Sequence, residues 1–360
     1  MSSNNKLEIL PSEQQASSGS LLLPKDGYLI DSERIGNFEW WYFDCIDTQN
    51  NCLLKIVIHL GTDPLRKSFF PTLALSIKTP ETTRALEFKY NLKDFHADRN
   101  RCDVRLRQDC HIYSDGDQSG YYHIDINIPE FHASLVFKQL VPAWVPPAHK
   151  IKAVKGHRES ELFWNVPQPR SIVDGSFEHN NSSYDLHDAI GYHDHNYWQL
   201  NTKQGLFLDE VISRWYWGKC VAGPYTLTFM ETWMKGVMIR SVMVSEHDKI
   251  IFETDRDLTI TVNKEKLHAP LKSEYPSQIT IQINHEEFPF ELVLHCEELI
   301  ESKDLLSGVN PLIARLIKSI VARPAYYGIY STATLKTPNH EFEGFGIYEF
   351  MLFRKGILSG

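Results

Sequence analysis

Along most of the chain, apolar and polar residues alternate with a period of two. In the segment Leu53–Leu60, Leu54, Ile56, Ile58 and Leu60 share one face. In Tyr121–Ile128, Tyr122, Ile124, Ile126 and Ile128 do so, with His123, Asp125 and Asn127 opposite. Ile279, Ile281 and Ile283 repeat the pattern. Such alternation predicts antiparallel strands with one buried face. Turn signals lie between the runs, at Asp115-Gly116-Asp117, Ser119-Gly120, Lys235-Gly236 and Thr337-Pro338-Asn339. Many strands, short turns and no regular alternation with long helices predict an all-β chain of barrels or sandwiches. One helical segment stands out. Asn310 is a candidate N-cap and Pro311 the first helical residue; Leu312, Leu316 and Ile320, with Ile313, Ile317 and Val321, then recur at helical spacing before Pro324. Such a helix could cover a barrel, or lie on a membrane surface as a peripheral contact.

The chain has 360 residues, long enough for two domains. The Pro-rich stretch Val166-Pro167-Gln168-Pro169, preceded by an irregular-looking segment from Pro142 to Lys155, predicts a boundary near residue 170. The expected organisation is a flexible polar leader over 1–25, one domain over 26–170 and another over 171–360. The net charge of -9 argues against a nucleic-acid surface, which needs a basic footprint. No apolar run is long enough to span a bilayer as a helix. The N-terminus lacks the basic start and apolar core of a secretory signal, and the six cysteines show no paired spacing. Both features point to free thiols in a reducing, cytoplasmic setting.

The 16 Tyr, 19 Phe and 8 Trp change the picture, because they gather in short clusters that also carry charges. In Gly191–Trp198, His193 and His195 point the same way on a strand, with Asp194 opposite. Three readings stand side by side: half of a metal site, a structural hydrogen-bonded tie, or the polar corner of an aromatic pocket. In Tyr225–Trp233, Glu231 shares a face with Tyr225, Leu227, Phe229 and Trp233. Buried there, its carboxyl could serve as a general acid; alternatively it pairs with a strand-borne cation such as Arg214. Glu39 shares a face with Trp41 and Phe43, and Glu349 with Ile347, Met351 and Phe353. No nucleophile elbow, Walker loop or dinucleotide fingerprint is present, so no cofactor is expected.

Glu39-Trp40-Trp41-Tyr42-Phe43-Asp44, Trp164 with Val166-Pro167, Gly175-Ser176-Phe177, Gly191-Tyr192-His193-Asp194-His195-Asn196, Trp215-x-Trp217-Gly218 and Glu343-Gly344-Phe345-Gly346-x-x-Glu349 together resemble the AttH-like proteins and carotenoid 1,2-hydratases (hydroxyneurosporene synthases), a family that includes lipocalin-like Diels-Alderases. The resemblance runs from about residue 28 to about residue 353. It implies two lipocalin-like antiparallel β-barrel domains, with the predicted helix in the C-terminal half, and a lipophilic ligand. It implies no metal and no redox cofactor. It also implies chemistry on an unsaturated natural product: hydration, isomerisation or cyclisation. His195 and Glu231 match the positions of the hydratase proton chemistry, with Trp215, Trp217 and Tyr225 as aromatic neighbours. Two positions depart from the family pattern: Tyr197-Trp198 follows Asn196 where the family has Trp-Gly, and Glu231 stands where a hydratase has Asp.

The candidate catalytic residues are therefore Glu231, His195 and Tyr225. The candidate substrate-binding residues are Trp41, Tyr192, His193, Asn196, Trp198, Trp215, Trp217, Phe229, Trp233 and Glu349. The expected partner is a lipophilic small molecule. A non-catalytic carrier of a lipid or pigment would use the same aromatic wealth.

Overall fold

The computed structural model describes residues 6–11, 26–31, 33–62, 67–116, 120–286, 288–307 and 324–353. The strands are β1 (Leu7–Pro11), β2 (Phe38–Asp47), β3 (Cys52–Thr62), β4 (Phe69–Lys78), β5 (Thr83–Lys89), β6 (Phe95–Ala97), β7 (Asp103–Leu106), β8 (Cys110–Ser114), β9 (Tyr121–Ile128), β10 (Phe131–Gln139), β11 (Lys150–Lys155), β12 (Arg158–His179) and β13 (Ser182–Leu200). After the four-residue helix α1 (Leu208–Val211) come β14 (Ile212–Ala222), β15 (Tyr225–Met234), β16 (Val237–Glu246), β17 (Lys249–Thr254), β18 (Leu258–His268), β19 (Ser273–Asn284), β20 (Pro289–Asp304), β21 (Ala325–Lys336) and β22 (Glu341–Leu352). The helix expected after Asn310 lies outside the described residues.

The chain divides into two compact units, each a curled antiparallel sheet of the lipocalin-like barrel type. The division is not the contiguous one expected. Unit one holds residues 1–15, 146–160 and 200–360; unit two holds 16–145 and 161–199. The Pro-rich stretch at 166–169 is no boundary, because β12 runs straight through it and pairs with β10 from Phe131↔His179 to Gln139↔Ser171. The long strand β13 likewise pairs with β2. Two strands that long carry the chain's middle into unit two and move the real change of unit to about residue 199. Nor is the N-terminus wholly a leader: Leu7–Pro11 forms β1 and pairs with β11, inside unit one.

In unit two the strand order is β5-β4-β3-β2-β13-β12-β10-β9-β8-β7-β6, and in unit one β17-β16-β15-β14-β22-β21-β20-β19-β18. Each unit has its own core. The alternating residues lie where the period of two places them: Leu54, Ile56, Ile58, Leu60, Tyr122, Ile124, Ile126 and Ile128 in the core of unit two, Ile279, Ile281 and Ile283 in that of unit one. Each such side chain contributes about 1.5–3 kcal/mol on leaving water. The turn at Lys235-Gly236 has positive φ at both residues, 38° and 92°, the geometry that matches the twist of a two-residue hairpin. All six cysteines are among the described residues and none forms a disulfide. Among the described residues no helix is long and apolar enough to cross a membrane.

Candidate functional site

In unit two, the β13–β2 register sets His193 opposite Phe43, His195 opposite Trp41 and Tyr197 opposite Glu39. Opposite residues share a face, so these six look into the core. The His193 ring stacks on Phe43 at 3.8 Å and the His195 ring on Trp41 at 4.7 Å. Both histidines and Glu39 are fully buried.

What holds such polar groups in an aromatic core is a cluster centred on Asp26, just ahead of β2. His193 Nε2 is 2.9 Å from Asp26 Oδ2, and its Nδ1 is 2.9 Å from the Tyr42 carbonyl. The Tyr122 hydroxyl donates to the same Oδ2 at 2.8 Å. His195 stands between two carboxylates: Nε2 lies 2.8 Å from Glu39 Oε1, and Nδ1 lies 3.1 Å from Asp26 Oδ1, a charge contact without hydrogen-bond alignment. Glu39 in turn accepts the backbone N–H of Leu29 at 2.7 Å and of Ile30 at 3.1 Å. The cluster thus fastens the segment 26–30 to β2 and β13.

The charges explain one another. Burial alone would raise the Asp26 carboxyl, but the charge and hydrogen bonding of His193, joined by His195, hold it well below the ordinary carboxylate range. Burial alone would likewise lower His195, yet Asp26 and Glu39 outweigh it and push the imidazole up to about 9. At neutral pH His195 is therefore an imidazolium whose two ring nitrogens both face carboxylates. Asp26, Cys102 and His193 also bring an oxygen, a sulfur and a nitrogen within 4.8 Å of one another. Burial pushes the Cys102 thiol well up, which keeps it protonated and poor as a metal ligand. Both nitrogens of His195 are turned to carboxylates, so the His-x-His pair does not present two open nitrogens to one point.

The even residues of β13 face the other way and form an aromatic wall. Asp194 accepts from the Trp164 indole at 3.1 Å, the Tyr192 hydroxyl at 2.9 Å and the Asn196 amide at 2.9 Å. Trp144 meets Trp164 edge-on at 5.3 Å, and Tyr42 meets Tyr192 edge-on at 6.0 Å. Trp198 is fully buried on the same face. The predicted site residues of this region thus split between two faces: the binding candidates Trp41 and His193 with the catalytic candidate His195 on the core side, the binding candidates Tyr192, Asn196 and Trp198 on the wall.

In unit one, Glu231 lies opposite Arg240 and Tyr216. Its Oε2 accepts from Arg240 Nε at 2.9 Å and its Oε1 from the Trp233 indole at 2.8 Å. The cation bonded to it is thus Arg240, not Arg214, whose guanidinium instead lies 4.4 Å from the Trp233 ring centre. Phe229 is in the core beside it. Tyr225 shares the strand face but sits six residues away, about 20 Å along an extended strand, against Phe290 and Phe342. Trp215 and Trp217 project from the opposite face of the sheet. Trp217 lies in register with Glu349, which accepts from the Tyr326 hydroxyl. Glu231 and Tyr225 are thus apart within unit one, and His195 belongs to unit two.

The residues that sequence reasoning missed are Asp26, Tyr122 and Trp164. The Trp164 position was visible only as part of a resemblance, and Asp26 follows directly on the polar leader with no periodicity to mark it.

Two antiparallel sheets, each curled around its own core, define a chain with the two-barrel lipocalin-like fold. No protein-family model matches the sequence, and no curated protein does. Among solved structures, CghA with Sch210972 is similar with a TM-score of 0.63 at 12% identity, over 97% of this chain and 99% of that one. Kievitone hydratase from Nectria haematococca gives 0.58 at 14% identity, over 95% and 97%. An AttH-like protein from Nitrosomonas europaea gives 0.58 at 13% identity, over 88% and 92%. The resemblance drawn from the motifs holds at the level of the fold.

Proposed function

We propose that this chain is a cofactor-independent enzyme of natural-product chemistry that takes a lipophilic, unsaturated substrate and promotes its cyclisation, isomerisation or hydration. The observation that carries this reading is the buried aromatic wall of unit two, with Tyr42, Tyr192, Trp144, Trp164 and Trp198 around the Asp194 hydrogen-bond hub. Aromatic faces suit a conjugated chain, and a few fixed polar groups among them orient it. The fold shared with a hydratase and with a protein solved with Sch210972 supports the same class.

Of the three reactions, intramolecular cyclisation fits the geometry best. Hydration needs an acid free to give its proton to an alkene. The His195 proton sits between two carboxylates in a core, and both Glu231 oxygens already accept hydrogen bonds. Cyclisation needs only that the chain be held in its reactive conformation, which can remove several kcal/mol of the barrier as entropy lost beforehand, and that a carbonyl be polarised by a hydrogen bond.

The test is incubation of the purified protein with polyene and terpenoid extracts, followed by mass spectrometry. Products isomeric with their substrate fit cyclisation or isomerisation; gain of one water fits hydration. Ligands released unaltered across all candidates would instead identify a carrier.

A further inference from the structure

The outer face of the unit-two sheet carries an open polar groove that the function proposed above does not use. It lies over β7, β8, β9, β10 and β12 and has a volume of about 580 Å³. Its floor is a row of directly opposed residues, one from each strand: Arg105↔His111, His111↔Asp125, Asp125↔Ser134 and Ser134↔Ser176. A second row beside it runs Asn127↔His132 and His132↔Glu178. The flanking residues Ile112, Ile124, Ile126, Leu135 and Phe177 belong to the core on the other side of the sheet. The Gly175-Ser176-Phe177 motif thus puts Ser176 in the groove and Phe177 in the core. At about 4.8 Å per strand, the five-strand row is about 19 Å long.

Part of the groove is already fixed in place. Asp103 lies 3.3 Å from Arg105 Nε and 3.0 Å from His111 Nε2, and the His111 ring stacks on Tyr113 at 4.4 Å. The Ser134 hydroxyl donates to Asp125 Oδ1 at 2.9 Å. The rest is unspent: the side chains of Arg107, Gln108, Asn127, His132, Ser176 and Glu178 make no hydrogen bond or ion pair among the described residues. Arg107 stands in the β7–β8 turn at φ +55°, a conformation that glycine adopts freely and arginine does not. Glycine would serve the turn better. Arginine brings a guanidinium to the end of the groove, where a second hollow of about 680 Å³ shares Arg105, Arg107 and Gln108.

The charges select the ligand. Arg105 and Arg107 balance Asp125 and Glu178, which favours neither a small anion nor a nucleic acid. Both rows are polar throughout, unlike the mostly apolar walls of a lipophilic site. The backbone groups beneath are spent in the strand ladders, so a peptide strand finds nothing to pair with on this face. A neutral ligand that donates and accepts along its length meets every one of these conditions. We propose that the groove binds a neutral oligosaccharide lying across the strands, at a site independent of the function proposed above. Each sugar hydroxyl both donates and accepts, and the forked ends of Arg, Asn, Gln and the carboxylates span neighbouring hydroxyls.

The experiment uses the full chain with neutral tetrasaccharides of glucose, mannose, xylose and N-acetylglucosamine, and with tetraglycine and inorganic phosphate as contrasts. Kd is read by titration calorimetry, and Tm is measured for every variant. Wild type should bind at least one tetrasaccharide and neither contrast. Asn127→Ala, His132→Ala and Glu178→Ala combined should weaken that sugar roughly tenfold or more, because several hydrogen bonds are lost together. Tm should hold, since all three side chains are exposed. Arg107→Gly should weaken the sugar too, with Tm kept or raised, which separates binding from folding. If the triple variant loses Tm, Arg107→Gly alone decides. A wild type that binds none of the four sugars overturns the proposal. Sugar binding left unchanged by both variants also overturns it, because the sugar then sits elsewhere. Phosphate bound in preference to every sugar overturns it as well, and makes the groove an anion site.

Discussion

Two buried polar groups, one in each unit, solve the same problem in opposite ways. In unit two, Asp26, Glu39, His193 and His195 are charged or chargeable, and each faces a partner within 3.1 Å. In unit one, Thr226, Thr228, Ser241 and Ser245 are neutral, and their hydroxyls meet no partner among the described residues. The first arrangement pairs its charges, with only the Asp26 Oδ1–His195 Nδ1 contact lacking hydrogen-bond alignment, and its energy goes into holding the chain. The second leaves its hydrogen-bonding capacity unused among the described residues, which costs folding free energy. Burial of polar side chains therefore has opposite consequences for stability, depending on the state of their hydrogen bonds.

Removing one member of the paired cluster should produce the largest effect. Asp26→Ala strips His193 and Tyr122 of a shared acceptor and His195 of a charge partner, and breaking a buried charge cluster costs about 3–5 kcal/mol. Urea unfolding should show that loss; a change near zero would remove the cluster from any structural role. Next is pH. The folded-state value of His195 is raised from 6.5 to about 9, so the folded chain binds the extra proton more tightly. Its stabilisation is complete below about 6.5 and lost as pH rises through 9, while that of Asp26, whose value is lowered, is lost only in acid below its ordinary 3.8. Urea midpoints should decline from pH 7 to 9.5, and His195→Gln should flatten that decline.

Smaller effects are expected in unit one. Glu231→Gln keeps an acceptor for Trp233 but leaves Arg240, whose side chain is 21% exposed, beside a neutral group. The loss should be roughly 1–2 kcal/mol in urea unfolding. Retention of turnover in this variant would remove Glu231 from the chemistry. Smallest of all, Ser241→Ala should leave Tm unchanged or slightly higher by calorimetry, because it deletes an unpartnered hydroxyl and little volume. A clear fall there would erase the contrast between the two units.

The strand pattern was legible because a sheet face repeats every second residue. Leu54 to Leu60 and Ile279 to Ile283 read directly as core, and His193 with His195 as one face. Some motif glycines also have a physical reason. Gly175 has φ +132° and comes so close to Ser134 that an added Cβ would lie 2.1 Å from its carbonyl oxygen; at Gly344 it would lie 2.1 Å from that of Val221. The division into units was not legible. Prolines 167 and 169 look like a break but sit in a strand, and nothing local ties Leu7–Pro11 to Lys150–Lys155. The partner of Glu231 was equally hidden, because register across a hairpin decides between Arg214 and Arg240 and composition does not.

The sequence distances in the ion cluster also impose an order in time. Asp26 and His193 are 167 residues apart, and Glu39 and His195 are 156 apart. During synthesis, at about 5–20 residues per second, the two carboxylates wait on the order of ten seconds or more for the histidines to emerge. Until then β2 has only β3 beside it, with its β13 edge open, and such non-local closure is slow in any case. The cluster is a latch that cannot engage early. Chaperone dependence and aggregation of the nascent chain should both peak before residue 195 is made and fall once it has been.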